Sequence, residues 1–144
     1  MNRIKQDGGA GCYYSEGLRS HATPAHVSIE AALRNALAAG ELEVHYQPKI
    51  DIATRRICGA EALMRWKSAS LGCVSPATFI PIAEETGLIV PLGAWVLEQA
   101  CAGAAAWRGA GHEVAISVNL SPRQFRQKDI VESVARALET SGLP

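Results

Sequence analysis

The apolar positions of this chain keep one of two spacings, and the spacing changes where an element ends. From Ser28 onward Ile29, Leu33, Ala36 and Leu37 recur at helical intervals, so the pattern predicts a helix with Ser28 as its N-cap and Gly40 as its stop. Leu42, Val44 and Tyr46 then alternate with Glu43, His45 and Gln47 as a strand, which Pro48 weakens at its end. Residues 51–54 turn the chain into a second strand over 56–66. So short a connection permits only an antiparallel pair, because parallel strands need a crossover of about a dozen residues or more.

Ser75-Pro76 opens a short helical turn, and a helix is predicted to resume near Pro81 and stop at Gly87. Between Pro91 and Arg108, Leu92, Trp95, Val96, Ala100, Gly103 and Trp107 fall on one face of an alanine-rich helix, ended by Gly109 and Gly111. Val114, Ile116 and Val118 alternate with Ala115, Ser117 and Asn119 as a third strand. Ser121-Pro122-Arg123-Gln124 comes next as a capping box with Pro at the first helical position. The last helix is expected to bury Ile130, Val131, Val134, Ala135 and Leu138 before the stop signal Gly142-Leu143-Pro144.

Side chains alternate faces along a strand, so Gly59, Glu61, Leu63 and Arg65 look one way while Ala60, Ala62, Met64 and Trp66 look the other. The second face is apolar and predicted to lie under helices. The first carries a carboxylate suited to a hard divalent cation and, about 13 Å along the strand, a guanidinium fork suited to phosphate. Glu61 also reads as a strand glutamate paired with a neighbouring base. Asn119 ends its strand with an amide oxygen that can ligate a hard cation or cap the turn before Ser121. His45 and Glu43 share a face with Gln47 and read as solvated or structural. Glu84 and Glu85 diverge by about 100° as helix neighbours, so they share neither a proton nor a metal.

Composition narrows the class more than the function. The chain has 144 residues, 48% hydrophobic and 19% charged, with fourteen basic and fourteen acidic side chains. That balance gives no electrostatic reason to expect nucleic acid or a membrane surface as partner. Four cysteines form no C-x-x-C pair and read as reduced, mostly buried thiols, Cys58 among them. The N-terminus has Arg3 and Lys5 but no apolar leader, and no stretch approaches eighteen uninterrupted apolar residues. These features lead to the expectation of a cytoplasmic protein. Residues 1–25, rich in Gly, Ser, Tyr and charge, read as a flexible tail.

The run Gly59-Ala60-Glu61-Ala62-Leu63-Met64-Arg65-Trp66, with Tyr46-Gln47-Pro48 before it and Ile116-Ser117-Val118-Asn119-Leu120-Ser121-Pro122 after it, resembles the EAL family of bacterial cyclic di-GMP phosphodiesterases. Phe79-Ile80-Pro81, Ala83-Glu84-Glu85 with Gly87-Leu88-Ile89, and Leu92-Gly93-Ala94-Trp95-Val96-Leu97 extend the match, which runs from about residue 26 to the last. The resemblance implies an α/β fold, the first strands of a (β/α)8 TIM-like barrel whose first strand is antiparallel. A barrel of this kind usually needs about 250 residues, so 26–144 reads as the N-terminal half of an EAL domain. The order Met1-Asn2-Arg3-Ile4-Lys5-Gln6-Asp7-Gly8-Gly9 is similar to the end of a GGDEF domain, although that family more often has Tyr in place of Asn2 and Arg-Asn in place of Gly9-Ala10.

By the same resemblance Glu61 and Asn119 are metal ligands, for Mg2+ or Mn2+, and Gln47, Leu63 and Arg65 contact the substrate. EAL enzymes resemble two-metal hydrolases in which bound cations activate a water and polarise the scissile phosphate. Further acidic ligands and a lysine come from later strands of the family, and their motifs do not occur here. Lys67-Ser68-Ala69-Ser70 also replaces the His-Pro usual after the Arg-Trp pair. The expectation is therefore the N-terminal part of a phosphodiesterase, with no complete catalytic set and inactive alone. The alternative is a regulatory or interaction module of cyclic di-GMP signalling, forming homo-oligomers or pairing with EAL or GGDEF proteins through an open sheet edge.

Overall fold

The computed structural model describes residues 24–144, so the tail and its similarity to a GGDEF terminus lie outside the described residues, apart from the first turn of a helix. The elements, in chain order, are α1 (Pro24–Ala36), β1 (Leu42–Ile50), β2 (Ile57–Ser68), β3 (Gly72–Val74), α2 (Pro76–Thr86), α3 (Ile89–Gly109), β4 (Ala115–Val118), α4 (Pro122–Phe125) and α5 (Ile130–Ser141).

β2 is the centre of the sheet. β1 pairs antiparallel along one edge, with Leu42 opposite Trp66 and Gln47 opposite Glu61. The other edge is shared: β4 runs parallel to it over Gly59–Ala62, and β3 pairs antiparallel with Trp66–Ser68. The turn between β1 and β2 is fixed by Asp51, whose Oδ1 accepts from the Thr54 amide at 2.7 Å and the Thr54 hydroxyl at 2.9 Å. Those bonds hold the Asp51 carboxyl below its usual range. The short connection thus forces the antiparallel pair that its length predicted.

The predicted division of β2 holds. Ala60, Ala62, Met64 and Trp66 are buried, whereas Glu61, Leu63 and Arg65 are only half-buried. Trp66 is 2% exposed and meets Phe79 of α2 edge-on, with ring centroids 5.7 Å apart. Leu33, Leu42, Met64, Ile89, Leu92 and Val96 close the core around them. The Trp66 indole needs a partner when buried. Its Nε1 donates to Glu41 Oε2 at 2.9 Å, while the Ala69 amide donates to Glu41 Oε1 at 2.9 Å. Glu41 sits just before β1 and so ties both ends of the hairpin.

α3 is a 21-residue helix whose length and composition would also suit a bilayer. One face of it packs on the sheet through Leu92 and Val96, and its far end makes room for Tyr46. A Cβ on Gly103 would lie 2.4 Å from the Tyr46 hydroxyl, which donates to the Gln99 carbonyl at 3.1 Å. Tyr46 also meets Trp107 edge-on at 4.8 Å.

Several expectations need correction. α1 begins at Pro24, so Ser28 lies within the helix rather than at its N-cap; proline suits a first turn because its missing N–H has no helical partner there. α2 is continuous through Pro81, since burial of Phe79, Ile82 and Ala83 outweighs one lost backbone bond. β3 has no counterpart among the predicted strands; it forms because Gly72, at φ 70°, supplies a left-handed turn residue. α5 faces α3 through Ala137, with Ile130, Val134 and Leu138 at the margin of that contact, which leaves Val131 72% exposed and Ala135 exposed. Cys58 and Cys73 are exposed, and only Cys101 among the described cysteines is buried. Cys58 has the parity of the apolar face but falls where the register of β1 and β2 shifts, so it has no partner on β1, and its thiol donates to the Lys49 carbonyl at 3.4 Å.

Candidate functional site

The open face of the sheet, opposite the helices, collects the odd-numbered residues of β1 and β4 and those of β2 from Gly59 on. Register places Glu43 opposite Arg65, His45 opposite Leu63, Gln47 opposite Glu61 and Lys49 opposite Gly59. On the other side of β2, Ser117 stands opposite Glu61. One step beyond β4 the Asn119 side chain reaches back, its Nδ2 donating to Glu61 Oε1 at 2.6 Å. Gln47, Glu61 and Ser117 thus form a row across β1, β2 and β4 that Asn119 completes at the strand end. Leu63 and Arg65 continue along β2 toward the same end.

The segment from Ser121 to Gln124 holds Asn119 in place. Ser121 caps α4 with the predicted box: the Gln124 amide donates to Ser121 Oγ at 3.2 Å, and the Ser121 amide donates to Gln124 Oε1 at 3.0 Å. The buried Gln124 side chain lies against Gly93, where a Cβ would come within 2.0 Å of Nε2. Arg123 reaches the end of α2 and donates through Nη1 to the carbonyls of Glu84, at 2.6 Å, and Glu85, at 3.1 Å. These last carbonyls of a helix have no partner within it. Three contacts therefore clamp the segment that presents Asn119.

One residue of this face, Lys49, belongs to no motif that would mark it in the sequence. It crosses β2 at Gly59, where no side chain blocks it, and donates through Nζ to Ser117 Oγ at 2.7 Å. Its parity with Gln47 is the available signal. Glu84 contributes a backbone carbonyl rather than its carboxylate. A cavity of about 620 Å³ lies elsewhere, on the helix side, lined by Tyr46, Pro48, Ile57, Trp107 and His112 among others. None of the candidate residues lines it.

No group of three or more His, Cys, Asp or Glu side chains that could hold a metal occurs among the described residues. The pair Glu61 and Asn119 nevertheless suits part of a magnesium or manganese site. Both offer hard oxygen donors, and two oxygens of an octahedral cation at about 2.1 Å lie roughly 3 Å apart, close to the 2.6 Å contact seen here. A half-turn of the Asn119 amide presents its oxygen in place of its nitrogen.

Residues 30–144 match the family described as EAL domain. The chain belongs to the EAL family. A relative named bifunctional diguanylate cyclase/cyclic di-GMP phosphodiesterase MucR, from Pseudomonas aeruginosa, is 39% identical over 140 residues, which is 96% of this chain and 20% of that protein. An uncharacterized protein of Sinorhizobium fredii, y4lL, is 45% identical over 143 residues, 99% of this chain and 17% of its own length. Among solved structures, a MucR phosphodiesterase in complex with cyclic di-GMP superposes with a TM-score of 0.78 at 42% identity, covering 81% of this chain and 47% of that one. The EAL domain of FimX from Xanthomonas citri, also in complex with cyclic di-GMP, gives 0.70 at 25% identity, covering 83% of this chain and 46% of that one. This EAL chain is therefore a partial TIM-like barrel, spanning about a fifth of these curated relatives and under half of the solved EAL domains.

Proposed function

We propose that residues 26–144 are the N-terminal part of a phosphodiesterase that opens cyclic di-GMP to the linear dinucleotide. Gln47, Leu63 and Arg65 contact the substrate, with the Arg65 fork on a phosphate, and Glu61 and Asn119 contribute oxygens to a site for Mg2+ or Mn2+. When bound, the cation activates a water and polarises the scissile phosphate. The observation that carries this reading is the 2.6 Å contact between Asn119 and Glu61, with Gln47 directly opposite Glu61. It brings a carboxylate and two side-chain amides, all with hard oxygen donors, into one row.

Two protein oxygens leave most of an octahedral shell unfilled, so the chain by itself binds metal weakly and does not turn over. The tail is read as the end of a GGDEF domain. The MucR alignment supports that reading, because it covers 96% of this chain, more than residues 30–144 account for. The test is equilibrium binding of cyclic di-GMP with Mn2+ present, and product analysis in the same samples. Binding weakened by Arg65→Ala, without linear product, is the expected result. Absence of binding by the wild type, or binding indifferent to Arg65→Ala, refutes the assignment.

A further inference from the structure

Glu43 of β1 and Arg65 of β2 are register partners, with both side chains on the open face. Residues directly opposite in an antiparallel pair have Cβ atoms roughly 5 Å apart, and opposite charges there attract. An ion pair between Glu43 and Arg65 is the default outcome of this register. It does not form. Glu43 Oε2 accepts instead from His45 Nε2 at 3.1 Å, and Arg65 Nη1 donates to the Met64 carbonyl at 3.0 Å. Among the described residues Arg65 enters no ion pair.

The arrangement comes from strand geometry. His45 stands two places from Glu43 on the same face, and its own register partner, Leu63, has no hydrogen-bonding side-chain atom. The imidazole therefore turns to the carboxylate beside it. A carboxylate and a phosphate compete for the same pair of guanidinium N–H groups, so a Glu43 free to swing toward β2 would occupy the fork of Arg65.

We propose that His45 is a positioning residue: by holding Glu43 it keeps the Arg65 guanidinium open to a phosphodiester ligand. This rests on the reading of Arg65 as a phosphate-binding residue. His45 and Glu43 influence the ligand only through that effect, and the two act as a unit whose removal together restores what removal of His45 alone takes away.

The test is isothermal titration of cyclic di-GMP into the full chain as wild type, Arg65→Ala, His45→Ala, Glu43→Gln and the double variant His45→Ala/Glu43→Gln. Both β1 side chains are exposed, and circular dichroism verifies that each variant folds. His45→Ala is expected to weaken binding roughly three- to fivefold, the scale of an exposed ion pair. Glu43→Gln binds more tightly than wild type, and the double variant returns to the Glu43→Gln affinity. A structural role for His45 would not be rescued in this way. Wild-type affinity in His45→Ala, or a double variant as weak as His45→Ala, overturns the inference. Wild-type binding that Arg65→Ala reduces but His45→Ala leaves intact removes this inference alone, whereas no binding by the wild type removes the phosphate reading and this inference with it.

Discussion

Asn119 donates to Glu61 across 58 positions of sequence, and that single 2.6 Å contact joins the end of β4 to the middle of β2. It forms because the parallel pairing sets Ser117 opposite Glu61, which leaves Asn119 one step beyond the strand and free to bend back. The contact is exposed, so its net worth to stability is small. Asn119→Ala is expected to change unfolding free energy by less than about 1 kcal/mol in a denaturant titration. A loss several times larger would make Asn119 a structural residue first.

Glu41 carries a different burden. The Ala69 amide and the Trp66 indole both donate to its carboxylate and hold its pKa below the ordinary value of 4.5. A carboxyl depressed in the folded state contributes stability that is present above its unfolded pKa and lost as pH falls through the folded one. Wild-type melting temperature should therefore fall below about pH 4.5. Glu41→Gln lowers the plateau at neutral pH and flattens that acid limb. An unchanged acid limb in the variant would contradict the assignment.

Gly93 is a packing position rather than a flexible one. A methyl group there would overlap the Gln124 side chain, at 2.0 Å from Nε2, inside a buried capping box. Gly93→Ala is expected to destabilise by about 1–3 kcal/mol, as overpacking does, despite the better helix propensity of alanine. Adding Gln124→Ala relieves the overlap but removes the cap, so the double variant recovers only part of the loss. Chemical denaturation of Gly93→Ala, Gln124→Ala and the double variant measures this directly.

The outer edges of β1 and β4 have no strand partner among the described residues. Unpaired edges of this kind template association. Sedimentation velocity of the isolated chain is expected to show concentration-dependent oligomers, with a broad, low-temperature melt. A strict monomer melting sharply above about 60 °C would instead mark a self-sufficient domain.

Features that depend on local periodicity are legible in the sequence. The alternation through Gly59–Trp66 separates the site face from the core face, and the Ser121–Gln124 spacing predicts both bonds of the box. Features that depend on partners distant in the chain are not. Pro81 looks like a helix start because the burial of Phe79 and Ile82 that carries α2 through it is tertiary. Val131 looks like core because periodicity cannot say that α5 meets only one neighbour face. Lys49 escapes notice because its partner, Ser117, lies 68 residues away and is reached only across a glycine.

We propose that Glu61 and Asn119 offer their oxygens to one divalent cation on the open face. Paramagnetic broadening by Mn2+ in a 15N–1H spectrum of the labelled chain tests it most directly, because it reports where the ion sits even when affinity is on the order of millimolar. Signals of Gln47, Glu61, Ser117 and Asn119 should broaden first, and Glu61→Ala should abolish that selectivity. Broadening centred elsewhere, or unchanged in Glu61→Ala, would contradict the claim.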